Sequence, residues 1–199
     1  MGGHAAGDVA SARVVSAIKS LKGGGTTAAA LRQALLQANE DLVRQGAGSP
    51  ERTMGATVTV LVSDGKTYFC LWAGDSRLYQ FRDGTMTQLT RDHRYVQDLL
   101  DAGMLSEDEA RQHPRRNVIT RAVGVAPELK LDTDRGEVQP GDIFILMTDG
   151  VSGVCTDAEI AAIISGGALD AAADALVQRC LEHGAPDNLT LLLVEKLKD

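Results

Sequence analysis

The first 42 residues carry apolar side chains at the spacing of two amphipathic helices. In each helix these side chains recur every three or four residues, so they fall on one face. The first face contains Val14, Ile18 and Leu21, and the second contains Leu31, Leu35, Ala38 and Leu42. A run of glycines separates the two helices, and Thr26 and Thr27 are the candidate caps of the second.

The pattern changes to a period of two over residues 56–90. Strands are expected at Ala56–Ser63, Thr67–Ala73, Arg77–Phe81 and Thr85–Thr90. The dipeptides Asp64-Gly65 and Asp83-Gly84 are strong turn signals between them. Because no helix separates the strands, the run predicts a four-stranded antiparallel meander and not a parallel sheet.

A polar and interrupted stretch follows the predicted meander. Short helices are expected over Arg94–Gly103 and Ser106–Gln112, and one short strand near Leu129–Leu131. Since this region lies between two strand-rich parts of the chain, residues 94–125 are the candidate for a mobile flap.

The stretch Ile143–Met147 consists of five consecutive apolar residues, which predicts a strand buried on both faces. The carboxylate of Asp149 follows it at a Gly turn. A capping box at Thr156–Glu159 predicts the next helix, and later elements are expected at Leu169–Leu181 (helix) and Leu189–Val194 (strand). Helices on the outer faces of antiparallel sheets would bury every apolar face together. We therefore expect an α+β layered sandwich in a single domain over residues 1–199.

Composition excludes several classes of protein. The net charge of −7 and the absence of a basic patch argue against a nucleic-acid partner. No apolar run approaches the ~18 residues of a membrane span, and no signal peptide is recognisable at the N-terminus. The cysteines are odd in number and lie in apolar runs, which indicates buried thiols of a reducing compartment, so we expect a cytoplasmic protein. An acidic protein that acts on an anionic substrate needs local positive charge, and bound cations would provide it.

Three acidic corners are candidates for binding such cations: Asp75, Asp149 and Asp187. Each lies at an end of a predicted strand, beside a small or polar residue. If the strands that flank Asp149 and Asp187 are neighbours, the two carboxylates converge. Oxygen ligands without Cys or His suit Mg²⁺ or Mn²⁺. The alternative is that Asp is simply favoured in turns, and Asp64 and Asp83 are assigned to that role.

Seven segments in order carry a family resemblance: residues 1–7 (MGGHAAG), 54–57 (MGAT), 74–77 (GDSR), 117–124 (NVITRAVG), 140–142 (PGD), 148–150 (TDG) and 187–188 (DN). From Met1 to about Val194, the chain resembles the bacterial protein serine/threonine phosphatases of the metal-dependent PP2C (PPM) family. That resemblance implies two antiparallel sheets packed together and flanked by helices.

The resemblance also implies roles for particular residues. Asp149 and Asp187 correspond to ligands of a two-metal centre that binds Mn²⁺ or Mg²⁺. Asp75 corresponds to the ligand of an additional metal in bacterial members, shared with Asp149. His4 is a candidate proton donor to the leaving serine or threonine oxygen, the alternative being a loop or helix-capping histidine. His93, His113 and His183 are expected to have no catalytic part, and His113–Asn117 falls where the family has its flap.

The chain departs from the family pattern at its start. Relatives carry an Asp-Gly pair directly before the Met-Gly-Gly-His run, and that Asp bridges both principal metals. They also carry, further upstream, an Arg that binds the phosphate and an acidic residue near the first metal. Two N-terminal strands are therefore expected to be missing, and the natural protein is expected to be longer by about 35 to 50 residues.

The function implied is hydrolysis of phosphoserine and phosphothreonine in proteins, by direct attack of a metal-activated water and without a phosphoenzyme. Its partners would be a phosphorylated protein and a cognate serine/threonine kinase. The alternative is a catalytically impaired binding or regulatory module with the same fold, because the bridging Asp and the phosphate-binding Arg are absent from this chain.

Overall fold

The computed structural model of the protein describes residues 3–21, 27–47 and 54–197, and side chains from residue 6 onwards. Among these residues the chain forms two compact units. The first unit comprises residues 1–60, 71–74 and 93–133, and the second comprises residues 61–70, 75–92 and 134–199.

Helices and strands are mixed along the chain. The helices are α1 (Gly3–Lys19), α2 (Ala28–Gly46), α3 (Tyr95–Asp101), α4 (Glu107–Gln112), α5 (Asp149–Ser152), α6 (Asp157–Ile164) and α7 (Leu169–Glu182). The strands are β1 (Val58–Ser63), β2 (Thr67–Ala73), β3 (Arg77–Arg82), β4 (Thr85–Gln88), β5 (Asp132–Glu137), β6 (Ile143–Met147) and β7 (Leu191–Glu195). They form two antiparallel sheets with flanking helices, which confirms the predicted α+β class.

In the first unit α1 packs against α2. The Thr27 hydroxyl caps α2 by accepting a hydrogen bond from the Ala30 N–H, as the sequence predicts. The expected apolar face of α2 is buried, and it also contains the polar residue Asn39. The Asn39 side chain bonds three backbone groups, at Gly124, Ala126 and Pro127, which explains why a polar residue is stable there.

The four-stranded sheet has the order β4-β3-β6-β7, with every neighbouring pair antiparallel. β6 therefore lies between two strands, and four of its five residues are buried, as its unbroken apolar sequence predicts. One face of this sheet packs against α5, α6 and α7 in a shared apolar core. On the opposite face Phe144 of β6 meets the edge of the Tyr68 ring of β2, with ring centroids 5.3 Å apart. In the second unit the two sheets are thus layered against each other, with the helices outside.

The prediction of a single four-stranded meander is wrong. β1 and β2 pair in a three-stranded sheet of order β1-β2-β5, whereas β3 and β4 belong to the other sheet. The chain changes sheets at Gly74, whose φ of +124° lies in a region that only glycine adopts readily. The alternating pattern marks where strands begin and end, but it does not identify their partners.

The strand expected near Leu129–Leu131 is also misplaced. Both leucines are buried, but the strand is β5, the next six residues, none of which is apolar except for glycine. Along β5 partly buried and exposed residues alternate. On the partly buried face the Tyr68 hydroxyl donates to Asp134 Oδ2 at 2.9 Å, and Gly136 leaves room for the same ring. β5 is therefore held by a polar contact and by the close packing that a glycine allows, and hydrophobic periodicity could not have detected this strand.

Several smaller expectations agree with the structure. The predicted capping box at Thr156 begins α6, and the helix expected over Ser106–Gln112 is α4, which a second capping box begins. The three cysteines are buried free thiols, and burial raises the pKa of Cys155 to about 11. Among the described helices, none is both long and apolar enough to cross a membrane.

Candidate metal centre

The corners that carry Asp149 and Asp187 meet at one end of the β6–β7 pair. The ladder continues one step past its last strand residues, because the Thr148 N–H donates to the Thr190 carbonyl at 3.1 Å. The Thr190 N–H in turn donates to Thr148 Oγ1 at 3.0 Å. The strands are therefore neighbours, which is the condition on which the predicted convergence of the two carboxylates depends.

Gly150 shows how tightly these two corners approach. A Cβ atom on Gly150 would lie 3.0 Å from the carbonyl carbon of Asn188 and 3.1 Å from Cα of Leu189, and closer still to the Asn188 oxygen. Real Cβ atoms essentially never lie as close to a backbone atom as this one would lie to the Asn188 oxygen. Only glycine therefore lets the chain after Asp149 lie against the chain after Asp187.

Asp75 joins this end of the sheet through the register of β3. Arg77 is paired with Met147 at the end of the antiparallel β3–β6 ladder. Asp75 precedes Arg77 by two residues and Asp149 follows Met147 by two, so both aspartates lie beyond the same end of this ladder. Asp75 and Asp149 are thus brought to the same end of the sheet by the pairing of the two strands.

The three aspartates differ in exposure. Asp75 is 4% exposed, Asp149 is partly buried and Asp187 is exposed. Within the described residues, no three His, Cys, Asp or Glu side chains lie close enough to hold one ion together. The donors are oxygens only, and the two corners are in backbone contact. Such a set fits a hard divalent cation that uses one or two carboxylates and keeps several waters.

A partly buried polar network begins at Arg77, two residues after Asp75. Arg77 forms a two-pronged ion pair with Asp92, with Nε to Oδ1 and Nη2 to Oδ2 both at 2.9 Å. Arg77 Nη1 also donates to the Tyr79 hydroxyl at 2.9 Å, and this hydroxyl donates to Asp157 Oδ1 at 3.1 Å. Burial raises the pKa of Tyr79 to about 12, so it stays a neutral donor. Asp157 is the first residue of α6.

The ion pair between Arg77 and Asp92 was not predicted from the sequence. A signal was nevertheless present, because the β3–β4 hairpin pairs Tyr79 with Gln88. The same register carried two residues further places Arg77 beside Thr90, close to Asp92. The hairpin turn alone could therefore have suggested the pair.

The histidines have separate environments. His4 belongs to the backbone of α1, but its side chain lies outside the described part of the structure, so its proposed role stays a prediction. His93 is buried, where Nδ1 accepts the Gly74 N–H at 3.1 Å and Nε2 lies 3.1 Å from Asp132 Oδ2. His113 and His183 are the C-terminal caps of α4 and α7.

The predicted flap region, residues 94–125, contains α3 and α4. The Arg115 guanidinium lies over the Tyr95 ring, 5.2 Å from its centroid, and the His113 ring is 5.7 Å from the same ring. These contacts organise the segment around one aromatic side chain. Motion of the segment stays a prediction.

A sequence profile of the protein phosphatase 2C family matches residues 1–194. The chain belongs to this family. The serine/threonine protein phosphatase PstP of Mycobacterium tuberculosis is 35% identical over 199 residues, which cover 98% of this chain and 38% of that protein. The chain thus spans well under half the length of this curated phosphatase 2C relative.

Solved structures of other proteins agree with the fold. The structure described as PppA, a key regulatory component of T6SS in Pseudomonas aeruginosa, is 40% identical, with a TM-score of 0.88 over 98% of this chain and 82% of that one. A structure of the PstP catalytic domain in complex with two manganese ions is 33% identical, with a TM-score of 0.86 over 98% and 84% of the two chains. The phosphatase 2C fold of this chain therefore rests on sequence and structure together.

Proposed function

We propose that this protein is a metal-dependent phosphatase of phosphoserine and phosphothreonine in proteins. The observation that carries the proposal is the meeting of the Asp75, Asp149 and Asp187 corners at one end of the β3-β6-β7 sheet in a chain of this family. The manganese ions bound to the PstP catalytic domain support Mn²⁺ or Mg²⁺ as the cofactor. A protein phosphatase of this kind reverses the action of a serine/threonine kinase.

In this proposal Asp149 and Asp187 hold the principal metal site, and Asp75 shares an additional ion with Asp149. When bound, the metals would neutralise charge on the phosphoryl oxygens and lower the pKa of the water that attacks phosphorus. The protein's own part is to keep three acidic side chains at one sheet end despite their mutual repulsion. The β3–β6 ladder and the Gly150–Asn188 contact do this through the backbone. His4 would donate a proton to the leaving oxygen.

The test is Mn²⁺-dependent hydrolysis of p-nitrophenyl phosphate and of a phosphothreonine peptide. Asp149→Asn and Asp187→Asn should each lower the rate by at least about a hundredfold, since each removes a carboxylate from the metal site. Asp83→Asn is the matched control, because Asp83 lies in the β3–β4 turn at a positive φ that Asn also tolerates. The proposal fails if the unmodified protein is inert with Mn²⁺, or if the Asp149 variant retains its full rate.

A second candidate function is a binding or regulatory module with the phosphatase 2C fold. It is favoured by the observation that no three potential metal-ligating side chains cluster within the described residues. This candidate predicts that the protein binds a phosphothreonine peptide in an equilibrium titration but releases no phosphate from it. Release of phosphate that depends on Asp149 would exclude it.

A further inference from the structure

We propose that the partly buried ion pair between Arg77 and Asp92 is a positioning device for the metal-ligating carboxylate of Asp75. This inference rests on the proposed function, because it assumes that Asp75 holds a divalent cation. Arg77 and Asp92 themselves do not contact the ion in this proposal. They fix the corner from which the Asp75 side chain extends.

The first support is the place of Arg77 in the sheet. It is the first residue of β3, two residues after Asp75, and its ladder partner Met147 is two residues before Asp149. In a strand, residues two apart lie on one face, as the bond between Arg77 and the Tyr79 hydroxyl shows. The bonds that fix Arg77 therefore also fix the start of β3, where the chain arrives from Asp75.

The second support is the number of bonds that fix the Arg77 guanidinium. Asp92 is 4% exposed and binds the guanidinium through both of its oxygens, and Tyr79 binds a third nitrogen atom. Asp92 also accepts a hydrogen bond from Gln88 Nε2 at 3.3 Å. A planar fork with several fixed partners has little freedom to rotate.

The third support is energetic. Removing an Arg and an Asp from water costs free energy that their attraction often only balances, so a buried pair adds little net stability over apolar residues of similar volume. The pair does define one geometry, whereas apolar residues would allow several. A metal site needs ligand distances within about 0.2 Å, so a single fixed geometry beside the ligand favours metal binding.

The same strand offers a matched control. At the other end of β3, Arg82 forms a two-pronged pair with Asp142, which is 1% exposed, through Nε and Nη2 at 2.6 Å each. Arg82 lies five residues from Arg77, roughly 17 Å along the strand. The two pairs share chemistry, strand and burial, but only one adjoins Asp75.

The experiment replaces each pair by apolar residues of similar size. The variants are Arg77→Met/Asp92→Leu and Arg82→Met/Asp142→Leu, with Asp75→Asn as the reference for loss of the ligand. Mn²⁺ binding is measured by isothermal titration and by the electron paramagnetic resonance signal of free Mn²⁺, and folding by thermal melting. Neither binding readout depends on catalytic activity.

We expect both double variants to melt alike. The Arg77/Asp92 variant should bind the ion that Asp75→Asn loses at least about tenfold more weakly than the unmodified protein, while the Arg82/Asp142 variant should bind it normally. Arg77→Lys keeps the positive charge but loses the two-pronged hydrogen bonding of the guanidinium. Its Mn²⁺ affinity should therefore fall by a smaller factor, and the protein should stay folded. This variant tests the proposal even if the double variant does not fold.

Three results would overturn the proposal. The first is unchanged Mn²⁺ affinity in both Arg77→Lys and the Arg77/Asp92 variant, when Asp75→Asn does lose an ion; this leaves the proposed function standing. The second is equal weakening in the two double variants, which would indicate a general effect of stability. The third is no Mn²⁺ binding by the unmodified protein, which would overturn the positioning role and the proposed function together.

Discussion

Replacing Gly150 by alanine separates the effect of side-chain size from the effect of charge at the proposed metal centre. The substitution changes no ionisable group. It adds one methyl group at the point where the chain after Asp149 lies against Asn188. Gly150 is within α5, and it is not among the glycines with positive φ, so alanine fits the backbone conformation.

The size of the displacement follows from the geometry. Ordinary contacts of a Cβ atom begin at 3.4 Å, whereas the new atom would be 3.0 Å from the Asn188 carbonyl carbon and closer still to the Asn188 oxygen, so the two corners must separate by more than 0.4 Å. Metal–ligand distances tolerate only about 0.2 Å. Crowding of this kind costs about 1–3 kcal/mol, and the better helix propensity of alanine returns up to about 1 kcal/mol.

We therefore expect Gly150→Ala to remain folded, with a free energy of unfolding lower by up to about 3 kcal/mol. Its Mn²⁺ affinity should fall by at least about tenfold, and its hydrolytic rate at subsaturating Mn²⁺ should fall with it. Urea denaturation and isothermal titration measure the two effects separately. Saturating Mn²⁺ should restore part of the rate, because the ligands themselves are intact.

The control is Gly166→Ala, at the end of α6, where the nearest atom to a new Cβ is the Ile163 oxygen at 3.2 Å. This variant should bind Mn²⁺ as the unmodified protein does. If Gly150→Ala also binds Mn²⁺ with unchanged affinity, the close approach of the two corners does not set the metal geometry.

Three further predictions concern the scaffold. Asn39→Leu removes the partner of the buried Gly124 N–H and of the carbonyls of the exposed residues Ala126 and Pro127, and it should lower the free energy of unfolding by about 2 kcal/mol in a urea titration; a loss below about 1 kcal/mol would contradict this. Glu159→Ala should lower the melting temperature at neutral pH. The capping box with Thr156 and the bond from Arg179 lower the pKa of Glu159 from 4.5 to about 2, so the stabilisation is complete above pH 4.5 and is lost as the pH falls towards 2. The melting difference between the two proteins should shrink over that interval, and a constant difference would count against the assignment. Cys155 and Cys180, with sulfurs 4.0 Å apart and buried, should not react with a thiol reagent at pH 8 until the protein is unfolded; rapid labelling of the native protein would show that this core opens.

The elements that could be predicted from the sequence are those in which side-chain burial repeats with a regular period. The leucines of α2 and the apolar run of β6 belong to this group, and both occur where they were expected. The capping box at Thr156 also identified a helix start, because the Thr and the Glu three residues later satisfy each other locally. Local chemistry is visible in sequence without any knowledge of the partner elements.

The elements that could not be predicted depend on partners far away in the chain. β5 is held by the hydroxyl of Tyr68 and by the space over Gly136, so nothing in its own six residues marks it as a strand. The change of sheet at Gly74 is likewise a matter of which strand pairs with which. A glycine there signals a turn but does not reveal whether the next strand returns to the same sheet.

The proposed metal centre combines both kinds of information. Each aspartate corner is visible in the sequence as an Asp next to a strand end, but such corners occur in many turns. What distinguishes Asp75, Asp149 and Asp187 is that antiparallel pairing of β3, β6 and β7 brings them to one end of the sheet. Asp64 and Asp83 have the same local signature and lie in hairpin turns instead.

The three aspartate corners differ in local stability, and this difference predicts the order in which the metal ions are released on denaturation. Asp75 is buried and adjoins a strand fixed by the Arg77–Asp92 pair, and Asp149 directly follows the central strand. Asp187 is exposed, and it precedes β7, which is the edge strand beside β6 in the sheet formed by the described residues. Since opening free energies are lowest where burial is least, mild denaturant should release the ion that depends on Asp187 before the ion shared by Asp75 and Asp149.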